Sequence, residues 1–377
     1  MNKTIQWKNL LGQQRAKQVL GSALQNNALG HAYLFCGDEG TGTVAAALEL
    51  AMALLCRQSQ DAPCYRCDAC EKALHNAHPD LSLVLPLALQ KEHRSSDGSL
   101  SEAGWAYVAQ CASHKIAHPY ELLEYQGVPT IPVEWMKELN HSILRGAVEG
   151  GNKVVIVCGI DVMNKEAANA MLKTLEEPPP GTTIILCSQR PHAVLPTIVS
   201  RCQIVRFGAL SSQQLLEQLT ERFGQSADAT TLSQAVESAQ GSLGQAITLV
   251  QNPPVQVIEQ CQLIFSLAQH NDWLQAAHEL DSLAATADFG ALEKLFLYCM
   301  FFIRNSYLST IAEAQSCYDT NSPLQLDALR GLAAEQIEAL VEVCESALSA
   351  ARARGNNTLV LVTFLMQIME ILHVKKQ

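Results

Sequence analysis

With 377 residues, 48% of them hydrophobic and 17% charged, the chain has material for two or three domains with separate cores and is not a disordered polypeptide. Its formal net charge of −11, from 26 Lys and Arg against 37 Asp and Glu, has the wrong sign for a protein that grips nucleic-acid phosphates over a broad surface. No run of about 18 apolar residues occurs and residues 1–7 hold no apolar signal core, so neither export nor membrane spanning is expected and a cytoplasmic protein is predicted.

Val19, Leu20, Ala23 and Leu24 fall at helical spacing within residues 16–25, and residues 31–36 read as a short buried strand. A glycine-rich turn, Gly37-Asp38-Glu39-Gly40-Thr41-Gly42, then leads into an Ala- and Leu-rich helix over 43–55. Further strands are predicted at 81–85, 153–158, 182–187 and 203–207. Continuous apolar strands alternating with helices indicate a parallel sheet covered on both faces, an α/β nucleotide-binding type of domain over 1–208. Past Phe207 the strands stop. Ser211 and Gln214 form a capping box for a helix to 222, a second helix covers 231–240, and Gly241-Ser242-Leu243-Gly244 opens a third through 250, giving a small helical lid domain over 209–251. Pro253-Pro254 marks the next boundary, and helical patterns at 255–269, 272–285, 290–308, 333–354 and 358–374 make 252–377 an all-α C-terminal domain. Residues 86–130 are polar and irregular, with one helix expected at 102–111.

A phosphate-binding loop of the G-x-x-x-x-G-K-[ST] type needs backbone amides around the phosphates, a lysine on the terminal phosphates and a hydroxyl on Mg²⁺. Gly37 and Gly42 hold the two glycine positions, with Gly40 between them, but Thr43 stands in place of the lysine and Val44 in place of the hydroxyl. Two readings follow: a nucleotide loop that has lost its chemistry, or a turn kept for packing. The strand at 154–157 ends in Cys158-Gly159 rather than in the paired acids that position metal and water. Asp161, three residues beyond, is expected to initiate or cap the next helix. No ATPase site is legible, and ATP is not expected to bind this chain.

Thirteen cysteines without a secretion signal do not read as a disulfide framework. Four of them cluster as Cys56-x7-Cys64-x2-Cys67-x2-Cys70, a set of soft ligands suited to a closed, structural Zn²⁺ site. Scattered buried thiols and an iron–sulfur cluster are the alternatives. His75 and His78 lie nearby and are read as bystanders. The aromatics Trp105, Tyr107, Tyr120 and Tyr125 are expected to make a small local core rather than a stacking surface for bases.

Several stretches together resemble the clamp-loader subunits of the AAA+ superfamily, as found in bacterial replicative polymerase complexes. They are Gly12-Gln13, Gly30-His31-Ala32-Tyr33-Leu34-Phe35, the glycine loop, the cysteine group before His78-Pro79-Asp80, Asn169-Ala170-Met171-Leu172-Lys173-Thr174-Leu175-Glu176-Glu177-Pro178-Pro179, and Leu195-Pro196-Thr197-Ile198-Val199-Ser200-Arg201-Cys202. The resemblance covers roughly 5–80 and 131–250 and, more loosely, the C-terminal helices. It implies an AAA+ fold and a C-terminal collar for oligomerisation. The partners it implies are gamma/tau-like ATPase subunits and a delta subunit, with the sliding clamp and primer–template DNA met through the complex. It also makes Arg201 an arginine finger that reaches ATP held by a neighbouring subunit, Ser200 and Cys202 being its geometry. Two departures stand out: Gly244 occupies the arginine position of the family's Gly-Ser-x-Arg pattern, and 86–130 looks like an insertion. The expected role is a non-hydrolysing subunit of the loader. A gamma/tau-like motor subunit, or a zinc-dependent DNA-binding protein outside replication, are the competing readings.

Overall fold

The computed structural model describes residues 3–58, 60–96, 99–123, 125, 129–270, 273–286, 289–312, 329, 331–353 and 355–373. It divides into two compact units, Met1–Gln251 and Asn252–Gln377.

The first unit runs β1 (Thr4–Ile5), α1 (Gln14–Gln25), β2 (Ala32–Cys36), α2 (Thr43–Leu55), β3 (Asp61–Ala62), α3 (Asp68–Leu74), β4 (Leu81–Val84), α4 (Glu102–Ala117), α5 (Val133–Leu144), β5 (Lys153–Val157), α6 (Lys165–Glu176), β6 (Thr182–Ser188), α7 (Pro196–Val199), β7 (Gln203–Arg206), α8 (Ser212–Phe223), α9 (Ala229–Ser238) and α10 (Leu243–Gln251). A parallel five-stranded sheet in the order β4-β5-β6-β2-β7 is its centre, and β1 pairs with β3 apart from it. Every residue of β2, β5 and β6 is buried, as expected of strands covered on both faces. Each of the five lies within one residue of its sequence-predicted ends. The β1–β3 pair escaped prediction because two residues per strand carry no periodicity.

The chain leaves β2 toward the β4 side of the sheet and leaves β6 toward β7 on the other side. The crevice between the C-terminal ends of β2 and β6 is therefore the topological switch point, where ligands of open parallel sheets bind. The loop 37–42 occupies it.

Helix α4 is longer than expected. Ser101 caps it, its hydroxyl accepting the Gly104 amide at 3.1 Å, and the buried stripe Gly104, Val108, Ala112, Ile116 continues past residue 111. Asp161 does not cap α6; Asn164 does, accepting the Ala167 amide at 2.8 Å. The Ser211–Gln214 capping box forms as expected, and α8 to α10 share the sheet's hydrophobic core through Leu215, Leu219, Leu232, Val236, Leu243 and Ile247.

The second unit holds α11 (Val255–His270), α12 (Trp273–Thr286), α13 (Phe289–Ala312), α14 (Ala334–Arg352) and α15 (Asn357–His373). Its core gathers Phe265, Phe296, Phe302, Leu340 and Phe364, with Phe296 and Phe364 edge to face at 4.9 Å. Among the described residues, no helix is long and apolar enough to cross a membrane.

The His78-Pro79-Asp80 piece is structural. Asp80 is buried, and its carboxylate accepts the Val148 and Glu149 amides at 2.6 and 2.9 Å. The neighbouring Lys153, also buried, donates to the Gly146 carbonyl at 3.0 Å; burial lowers its pKa and the Asp80 charge partly restores it. Asp80→Ala frees two amides and removes the charge that compensates Lys153. It should lower the unfolding free energy by about 2–4 kcal/mol in denaturant titration.

Candidate functional site

The C-terminal ends of β2, β5 and β6 enclose a cleft of about 200 Å³ whose lining includes Gly37, Thr43, Cys158, Asp161, Cys187 and Arg190. Thr43 and Val44 open α2 and are buried. Gly40 (φ 78°) and Gly42 (φ 112°) are left-handed, a conformation that costs side-chain-bearing residues strain.

The loop is closed over by the chain itself. The Leu243 amide, first in α10, donates to the Gly40 carbonyl at 3.0 Å, and the Ser242 hydroxyl donates to the Glu39 carbonyl at 2.6 Å. A helix N-terminus is a natural anion site, and here part of it is committed to loop carbonyls. The fit is tight. A Cβ on Gly40 would stand 2.4 Å from Ser242 Oγ and 2.7 Å from the Gly244 nitrogen, and one on Gly244 would stand 2.2 Å from the Tyr120 carbonyl oxygen. Tyr120 reaches in from the segment 86–130. Its hydroxyl accepts the Leu11 amide at 2.8 Å and lies 3.2 Å from where a Gly42 Cβ would be; burial pushes its pKa up to about 12. Tyr120 is thus part of the main core rather than of a local one. Tyr107 stacks on His93 at 4.5 Å, and Trp105 is exposed.

The charged groups of the cleft are engaged. Lys115 of α4 is buried and donates to the Glu121 carbonyl. Asp161 accepts from Ser188 Oγ at 3.0 Å, the Gln189 amide at 3.3 Å and Arg190 Nε at 3.1 Å.

Arg201 follows the short helix α7. Its guanidinium donates to Glu176 Oε1 at 2.6 Å and to the Thr197 carbonyl at 2.7 Å, with its side chain 34% exposed. Ser200 adds a longer contact at 3.4 Å. Glu176, the last residue of α6, was not singled out from the sequence as a partner of Arg201.

The four clustered cysteines converge. Cys56 ends α2, Cys67 caps α3 and Cys70 lies in its first turn. Sulfur separations are 3.9 Å for Cys56–Cys67 and 4.0 Å for Cys64–Cys70, and all four Sγ atoms lie within 4.8 Å of one another. This set could hold a metal ion. Burial opposes ionisation of Cys67, but the Arg57 and Cys70 amides and the adjacent thiols outweigh it and bring its pKa down to about 6. Burial pushes Cys56 and Cys70 up. The neighbouring histidines stay out of the set: His75 bonds its own helix at the Glu71 carbonyl, and buried His78 accepts the Asp80 amide. The group is tied to the sheet domain by Tyr65, whose hydroxyl donates to buried Glu49 at 2.7 Å, and by Glu149, which takes Arg57 and Lys72 each at 2.7 Å.

Residues 12–211, more than half of the chain and the span that carries the loop, the cysteines and Arg201, match the family described as DNA polymerase III, delta subunit. The chain belongs to this family. It is 29% identical to DNA polymerase III subunit delta' of Bacillus subtilis over 219 residues, 58% of this chain and 54% of the relative. It is 32% identical to the delta' subunit of Pseudomonas aeruginosa over 188 residues, 49% and 46% of the two chains. The tau subunit of Bacillus subtilis is 27% identical over 216 residues, 57% of this chain and 31% of tau. The chain thus spans about half the length, or less, of these curated relatives. Among solved structures, a DNA polymerase III gamma-subunit-related protein of Thermotoga maritima is similar, at 14% identity and a TM-score of 0.42, covering 91% of this chain and 95% of that one.

Within this family member, sequence reasoning located the loop, the cysteines and Arg201 but missed what covers the loop. Lys115 carries no sequence signal, and Tyr120, expected in a small local core, is instead buried against the loop. Gly40→Ala places a methyl group against Ser242 and the α10 backbone at a positive φ. It should cost about 1–3 kcal/mol of stability in equilibrium unfolding.

Proposed function

We propose that the chain is the delta'-type, non-hydrolysing subunit of a replicative clamp loader, and that it supplies Arg201 in trans to ATP bound by a gamma/tau-like neighbour. The observation that carries this reading is the combination of a glycine loop bonded to its own chain, Gly40 to Leu243, with a partly exposed Arg201 side chain just beyond α7. The loop lacks the lysine and the Mg²⁺ hydroxyl, and Cys158 replaces the acid at the end of β5, so charge on a transferring phosphoryl group has no counterpart in cis. The guanidinium needs none of this machinery in its own chain. It is planar, permanently charged and suited to phosphate oxygens. Its ion pair with Glu176 is half exposed, and such pairs contribute about 0–1 kcal/mol, so exchange of that carboxylate for a phosphate oxygen costs little. In this role residues 209–251 act as a lid and 252–377 as the collar through which the ATPase subunits and the delta subunit assemble. The sliding clamp and primer–template DNA are then met through the complex, which accords with a net charge of −11.

The cysteine set would hold a structural Zn²⁺. Zinc–sulfur bonds of about 2.3 Å in a tetrahedron set sulfur–sulfur edges of about 3.8 Å, against the 3.9 and 4.0 Å found. Four thiolates leave no position for water, so the ion would brace α2 against α3 rather than take part in a reaction. Metal analysis should find this zinc in the purified protein, and Cys64→Ser or Cys67→Ser should lose it with a lower unfolding midpoint. Iron with a visible absorption band would replace the assignment.

Arg201→Ala should leave assembly unchanged while slowing hydrolysis at the adjacent site by about 10³-fold, read in reconstituted complexes whose other ATP sites are disabled. An unchanged rate overturns the finger. Labelled ATP should not bind the isolated chain at micromolar concentration; Mg²⁺-dependent binding there would instead favour a gamma/tau-like motor subunit.

A further inference from the structure

The segment 86–130 brings together a second group of metal-ligating side chains, unconnected with the cysteines. His114 lies in the last turn of α4, His118 is the residue that caps its C-terminus, and Glu121 follows in the turn beyond it. Their ligand atoms lie within 4.8 Å of one another. His114 Nε2 is 3.3 Å from Glu121 Oε2, and His118 Nδ1 is 3.4 Å from Glu121 Oε1.

Two simple ion pairs account poorly for this. As ion pairs both imidazoles would have to be protonated, with ring centroids 5.0 Å apart, and like charges at that separation repel; as neutral rings each could donate one N–H to the carboxylate, but 3.3 and 3.4 Å are longer than ordinary N–H···O bonds. The contacts are also longer than charge-assisted N–H···O bonds, at about 2.7–2.9 Å. Each is close to a single ligand–ligand edge of a tetrahedron, the two being made to different oxygens of the Glu121 carboxylate. Nitrogen and oxygen ligands at about 2.0–2.1 Å from a zinc-like ion stand about 3.3–3.4 Å from one another.

The carboxylate is also held in place. The Glu121 carbonyl accepts from buried Lys115, its amide donates to the His118 carbonyl at 3.1 Å, and the preceding Tyr120 is locked in the core. His114 sits in the last turn of α4, and His118 is the C-cap of that helix, its amide donating to the His114 carbonyl at 2.8 Å. Fixed backbone under all three ligands is what a metal site needs to avoid ordering costs on binding.

We propose that His114, His118 and Glu121 form a second, surface metal site for a borderline divalent ion such as Zn²⁺ or Co²⁺. Imidazole and carboxylate ligands suit such ions rather than Ca²⁺ or Mg²⁺. The histidine side chains are 47% and 49% exposed, so the remaining coordination position faces solvent and takes water or a donor from outside. The ion would staple the end of α4 to the 118–121 turn, the turn that carries Tyr120 against the glycine loop. Metal at this site therefore tightens the cover of that loop.

Calorimetric titration of the full chain, its cysteine site already filled, should detect one further equivalent of Zn²⁺ at micromolar concentration. His118→Ala and Glu121→Gln should each weaken that equivalent by more than about 100-fold, beyond what loss of an outer-shell partner does. The metal held by the cysteines should remain at wild-type stoichiometry, which certifies the fold of each variant. Bound Co²⁺ at the second site should give a spectrum without thiolate charge-transfer bands. Absence of the further equivalent in the wild type, or its survival in both variants, overturns the site. A variant that also loses the cysteine-bound metal is replaced by His114→Gln, read in the same way.

Discussion

The contact between the Gly40 carbonyl and the first amide of α10 governs the arrangement of the first unit. Two backbones approach there so closely that neither Gly40 nor Gly244 has room for a Cβ. That approach brings the three helices after β7 onto the mouth of the sheet and lets Tyr120 seat beside Gly42. It also commits the first amide of α10 to a loop carbonyl, whereas the helix N-terminus that a phosphate loop itself opens into is that of α2. The switch-point crevice that the topology offers to a ligand is thus bounded on one side by hydrogen bonds between glycine-rich turns, and a cleft of about 200 Å³ remains beside the loop.

Two other features of the unit differ in how firmly they are held, and the proposed roles follow that difference. The cysteine group is fastened from several sides, by Tyr65 to Glu49 and by Arg57 and Lys72 to Glu149, as befits a brace. Arg201 is held by one half-exposed carboxylate and one carbonyl, contacts that a phosphate group can replace. Rigidity in the first place comes from the bond to buried Glu49 and from the number of ties, since Arg57 and Lys72 are no less exposed than Arg201; charges near water gain little from pairing and lose little when the partner changes.

The sheet was legible because both its faces are covered. Residues such as Val154-Val155-Ile156-Val157 are apolar without alternation, which in short runs between turns marks a parallel strand. The cysteine spacing and the glycine positions were legible because the chemistry needs those residue types close together in the chain. The reading of 86–130 as an insertion with a small aromatic core was only half informative. Its helix continued beyond the visible pattern because Ser101 caps it and Ile116 extends the buried stripe. Tyr120 and Leu11, 109 residues apart, are joined through a hydroxyl and an amide that no local pattern links. His114 and His118 have the spacing of neighbours on a helix face, but Glu121 joins them only through the turn that Lys115 holds.

The sequence by itself determined the order of the five sheet strands, Thr43 and Val44 after the glycines with Cys158 at the end of β5, and the thiol cluster, because each is written in residues close in the chain. Tertiary structure alone decided what packs against the loop, which carboxylate holds Arg201 and where residues 86–130 pack. Those outcomes rest on hydrogen bonds and close approaches between distant segments, whose partners are set by the course of the backbone rather than by side-chain pattern.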